Sequence, residues 1–118
     1  MEKPIYLVVE PIEIIAADLA MNVHDYDPTA EVITATTLDA AFQVIDKAPS
    51  IRFAFIGIDA RNFALSDLFT ALVERGARII FVGGYGEPSE SGALVLETPF
   101  SAQSTADLLE HAEREINA

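Results

Sequence analysis

Carboxylates dominate the residues that could do chemistry: 19 acidic side chains stand against 7 basic ones. Glu10 closes the apolar run Ile5-Tyr6-Leu7-Val8-Val9, and Pro11 follows it. A carboxylate there can ligate a hard cation such as magnesium, or sit at the start of a helix, where its charge suits the dipole. Alone it is a poor magnesium site, because the ion keeps its waters unless several oxygens converge. Asp59 ends a second apolar stretch, Ile51 to Ile58, that contains Gly57. An aspartate there can attack a phosphoryl group, or it can cap the residues Ala60 to Phe63. Capping is the expected role. Gly57 cannot be a nucleophile, and its expected part is a close backbone approach or a bulge near the strand end.

Gly83-Gly84-Tyr85-Gly86 has the look of a phosphate cradle. It lacks the lysine and hydroxyl residue of a P-loop, and Glu87 and Glu90 would repel an anion. The expectation is a turn, with Tyr85 as an exposed aromatic suited to an interface. His24 and His111 form no spacing motif, and His24 lies beside Asp25 and Asp27, where solvated charge pairing is the default. No serine–histidine–aspartate arrangement follows from this pattern. The chain has no cysteine, which removes disulfides, thiolate nucleophiles and Cys-ligated zinc.

The elements that must hold these residues alternate short apolar runs with amphipathic stretches, the pattern of parallel α/β proteins. Ile5 to Val9, Glu31 to Ala35, Ile51 to Ile58, Arg78 to Val82 and Ala93 to Leu96 read as strands. Pro11 suits a first helical turn, and Ile12, Ile15, Leu19 and Val23 follow at helical spacing until the polar stretch from His24. Thr36 or Thr37 can cap a second helix bearing Leu38, Ala41, Phe42 and Ile45 on one face. Leu65, Leu68, Phe69, Leu72 and Val73 mark a third, which Gly76 ends. Ser101 caps a last helix lined by Leu108, Leu109, Ala112 and Ile116. Residues 83–92 are too few and too rich in Gly, Ser, Glu and Pro for a full helix. The fold expected is a single α/β domain over residues 1–118, a flavodoxin-like three-layer sandwich with strand order 2-1-3-4-5.

Three segments together resemble the receiver domain of two-component response regulators. Tyr6-Leu7-Val8-Val9-Glu10 resembles its first strand and acidic end. Phe53 to Asp59 falls where the third strand belongs. Val95-Leu96-Glu97-Thr98-Pro99-Phe100-Ser101 is similar to the fifth strand followed by Lys-Pro-Phe. Ile79 to Glu87 also resembles stand-alone receivers whose fourth helix is shortened.

The resemblance implies a phosphorylation pocket, and this chain departs from it almost everywhere. Receivers use an aspartate on strand three, two acids after strand one to hold magnesium, a Thr or Ser after strand four, and a lysine before proline on strand five. Glu10 fits the first acid position; Pro11, Gly57, Gly83 and Thr98 stand at the other four. The aromatic switch position falls on Val95. A degenerate receiver without metal or cofactor is therefore expected, acting on a signalling protein or a second copy of itself. Docking through the last helix, strand five and the 83–92 loop would bring Tyr85, Val95 and Phe100 to the partner surface. The rival is a phosphoacceptor using Asp59 with Glu10 and magnesium. A flavin site is disfavoured because the turn Glu10-Pro11-Ile12-Glu13 is acidic and short of donors.

Composition sets the outer limits. A net charge of −12 would repel nucleic-acid phosphates. No apolar run approaches the roughly 20 residues of a membrane helix. The first residues lack a signal-peptide layout, so a cytoplasmic site of action is expected.

Overall fold

The computed structural model describes residues 3–83 and 94–117. Five strands form one parallel sheet in the order β2-β1-β3-β4-β5. These are β1 (Ile5–Val9), β2 (Glu31–Ala35), β3 (Phe53–Ile56), β4 (Arg78–Val82) and β5 (Leu94–Leu96). The helices are α1 (Glu13–Tyr26), α2 (Leu38–Val44), α3 (Ala60–Ala64), α4 (Asp67–Glu74) and α5 (Ala102–Asn117). A 3₁₀ turn, Ile45–Lys47, extends α2.

The sheet has helices on both faces, which is why β1 and β3 carry unbroken apolar runs. Side chains alternate across it. Tyr6, Val8, Phe53 and Phe55 pack toward α1 and α5 with Leu19, Val23, Leu109 and Ala112. Leu7, Val9, Ala54 and Ile56 pack toward α2, α3 and α4 with Ala41, Ile45, Phe63, Leu68 and Leu72. Each fully buried Leu or Phe contributes about 2 kcal/mol from the apolar area it removes from water.

Several expectations shift. Helix α1 runs on through His24 to Tyr26 and begins at Glu13, so Pro11 lies before the N-cap Ile12 and not in the first turn. The third strand is shorter than expected, leaving Gly57 just beyond it. The expected third helix is two helices. Ser66 ends one and caps the next, its hydroxyl accepting from Phe69 N–H at 3.3 Å and donating to Phe63 O at 2.6 Å. That break turns Leu65 outward, 84% exposed, while Leu68, Ala71 and Leu72 supply the buried face of α4. Thr37 is the cap of α2, accepting from Ala40 N–H at 3.0 Å, and Ser101 accepts from Ser104 N–H at 3.0 Å at the start of α5. The shortened helix expected between β4 and β5 lies outside the described residues.

Candidate functional site

Parallel strands end together, so the residues that follow β1, β3, β4 and β5 all come to the carboxyl edge of the sheet. That edge is where α/β sheets hold their chemistry. It collects Glu10, Gly57, Gly83 and Thr98.

Glu10 is drawn inward by its backbone, whose N–H donates to Ala35 O at 2.9 Å and so prolongs the β1–β2 ladder. Its side chain is buried, 4% exposed. One carboxylate oxygen accepts the N–H of Ile12 at 3.2 Å. Ile12 has no side-chain oxygen to cap α1, so Glu10 takes over part of that duty from two residues upstream.

Gly57 faces that carboxylate. Its N–H donates to Val9 O at 2.8 Å, locking it beside the end of β1. A Cβ on residue 57 would collide with Glu10 Oε2 and come within 3.1 Å of Glu10 Cδ and 3.3 Å of Val9 O. The space an acceptor side chain needs at 57 is filled by the carboxylate of Glu10. The glycine is thus explained by a close approach, and its partner is Glu10, which the resemblance sets at the first acid position. Sequence reading treated the two positions separately and missed the pairing.

The residue types differ at the other positions too. Gly83 donates its N–H to Leu96 O at 2.9 Å and has φ +82°, in the left-handed region. A β-branched threonine there would be strained. Thr98 is exposed and joined to Pro99 by a cis peptide bond. Pro11 is exposed at the mouth of the edge. Asp59 is exposed and caps α3, accepting from Arg61 N–H at 2.8 Å and Asn62 N–H at 3.3 Å. Both bonds hold its carboxylate over the helix start.

Among the described residues no group of three His, Cys, Asp or Glu side chains is placed to hold a metal ion. Glu10 is a single buried carboxylate with proline beside it, which does not fit the magnesium site of a phosphorylating receiver. Of the expected partner surface, two residues are described. Val95 is 37% exposed, but Phe100 is half-buried and packs on the core beneath α1 and α5. Tyr85 lies outside the described residues.

No family model and no curated protein matches the chain. Solved structures do. A "probable two-component system response regulator/GGDEF domain protein" superposes with TM-score 0.71 at 17% identity, over 98% of this chain and 51% of that one. A response regulator receiver domain protein from Bacillus halodurans gives 0.69 at 17% identity, over 93% and 97%. NtrX from Brucella abortus, in complex with ADP, gives 0.70 at 25% identity, over 98% and 29%. The chain thus spans about half of the first of these proteins and under a third of NtrX. It has the fold of response-regulator receiver domains.

Proposed function

We propose that this chain is a receiver-type signalling domain that takes no phosphoryl group and acts by binding a protein partner. The observation that carries the reading is the contact between Glu10 and Gly57. A nucleophile at residue 57 is missing, and a neighbour's carboxylate fills its space. The hydroxyl donor and the lysine that would stabilise the transferred group are replaced by Gly83 and Thr98. Among the described residues nothing on this edge matches the charge that develops in phosphoryl transfer, so the domain is read as a non-enzymatic module working in the cytoplasm. Its partner is a signalling protein or a second copy.

Incubation with magnesium and acetyl phosphate, followed by intact-mass measurement, tests this directly. The protein should remain unmodified. A stoichiometric phosphoryl adduct overturns the reading, and its loss in Asp59→Asn would assign it to the displaced aspartate.

A further inference from the structure

β2 is an edge strand, and among the described residues no strand pairs with its outer side. The ladder to β1 uses alternate residues, since Glu31 N–H donates to Pro4 O at 2.8 Å and Ala35 O accepts from Glu10 N–H at 2.9 Å. Alternation then turns the N–H and C=O groups of Val32 and Thr34 outward. An edge of this kind is a template for another strand. It lies in a groove lined by Glu13, Ala16 and Ala17 of α1, residues 34–36, and Ala40 and Val44 of α2. The two helices stand on opposite faces of the sheet.

The walls of this groove are apolar and short. Ala17 is exposed, and one turn to either side of it Ile14 is 72% and Met21 64% exposed. On the other face Val44 is 45% exposed. Glu13 is the only charged side chain in the lining.

These features fit a second copy turned about a two-fold axis through Ile33. Antiparallel pairing about Ile33 sets Val32 opposite Thr34 of the second copy, and their outward N–H and C=O groups are the ones such a pair exchanges. Glu31, the one charge on β2, then stands opposite Ala35 and away from its own counterpart. The Ile33 side chains meet on the face that Val44 shares. The helices obey the same axis. His24 Nε2 lies 3.1 Å from Ala30 O, which fixes the end of α1 beside the start of β2. From Ala30 to Ile33 the strand climbs about 10 Å, a rise that α1 covers in about seven residues. Ala17 is therefore level with Ile33, and the axis brings the two Ala17 together, with Ile14 and Met21 flanking them. α1 packs on both β1 and β2, so its counterpart would lie about 10 Å away, an ordinary helix–helix spacing. Charge agrees with this orientation. The first turn of α1 carries Glu13 and the last carries His24, and antiparallel helices bring each toward the other across the interface.

We propose that the β2 edge, with Ala17 of α1 and Val44 of α2, is the interface of a symmetric dimer whose two sheets join into one. Each contact occurs twice, as a two-fold interface requires. The inference names a partner surface and does not rest on the chemistry of the carboxyl edge, so a phosphoryl adduct would leave it standing.

Sedimentation of the full chain at about 0.15 M salt, where repulsion between the acidic copies is screened, tests it. Wild type should be a dimer at about 100 μM, with the amides of Val32 and Thr34 protected from hydrogen exchange and exposed again on dilution to monomer. Ala17→Glu sets a carboxylate against its own counterpart at the axis and should raise the dissociation constant at least tenfold. Ala17→Arg should do the same, and an equimolar mixture of the two variants should recover the dimer, because only a two-fold interface pairs residue 17 with itself. Thr34→Pro removes one outward N–H without breaking a bond to β1 and should also weaken the dimer. The residue 17 variants keep the test decisive should the proline impair folding. A monomer at about 100 μM overturns the proposal. So does a dimer that Ala17→Glu leaves intact, and so does a mixture no more dimeric than either variant alone.

Discussion

The two ends of the sheet handle their polar groups in opposite ways. At the amino end, two side chains converge on one carboxylate of α5. Tyr26, on the last turn of α1, donates its hydroxyl to Glu113 Oε2 at 2.9 Å, and Arg52, just before β3, donates Nε to Glu113 Oε1 at 2.9 Å. Glu113 thereby ties α5 to α1 and to the sheet. Tyr6 lies inside this end, stacked on Phe53 at 5.7 Å between ring centroids. Burial pushes its phenol well above its ordinary range, and Asp27 and Glu113 add to the shift. At the carboxyl end the backbone makes most of the bonds, and one buried carboxylate is set against a glycine. The first arrangement holds helices in place. The second sets a buried carboxylate against the backbone of a neighbouring strand end.

Three measurements would break or sharpen that contrast. The largest effect is expected from Gly57→Asp, which sets a second carboxylate into space already filled by Glu10. An uncompensated buried charge of this kind costs about 3 kcal/mol or more in urea unfolding. Glu10→Ala in the same chain should recover part of the loss, giving a coupling of at least about 1 kcal/mol in a double-mutant cycle. If Gly57→Asp is as stable as wild type, Glu10 swings aside at no cost and the carboxyl end is not closed.

Gly83→Thr comes next. A β-branched residue at φ +82° should cost about 2 kcal/mol, read in the same way. A neutral result would show that the backbone relaxes and that only the residue type at 83 had changed.

Tyr26→Phe is the smallest, about 1 kcal/mol for one lost hydrogen bond. It has a pH signature. Burial, followed by the hydrogen bond to Glu113, pushes the Tyr26 phenol up from 10.0 to about 12. The folded state then holds this proton more tightly than the unfolded chain. The contribution is complete below pH 10 and is lost as pH rises through about 12. Alkaline unfolding of Tyr26→Phe should lack this share of the pH dependence. A Tyr26 phenolate appearing near pH 10 would mean that Glu113 does not hold it, and the amino end would lose its defining contact.

The strands β1, β2 and β4 were legible residue for residue, because unbroken apolar or β-branched runs leave few alternatives to a covered strand. Asp59 as a cap was legible too, since an aspartate bonds its own backbone a few residues on. The division between α3 and α4 was not. Leu65 to Val73 keeps helical spacing across it, and only the hydroxyl of Ser66 shows that the chain stops and restarts.

The chain's own pattern determined the strands, the helices and the residue types that stand at the carboxyl edge. Each depends on residue type or on contacts close in sequence. Tertiary structure decided what fills the emptied place. Glu10 and Gly57 follow neighbouring strands that come side by side only after the crossover through α1, β2 and α2, and no spacing along the chain encodes a contact between a carboxylate and a missing Cβ. The open side of β2 was decided in the same way, because which strand lies at an edge is a property of the assembled sheet.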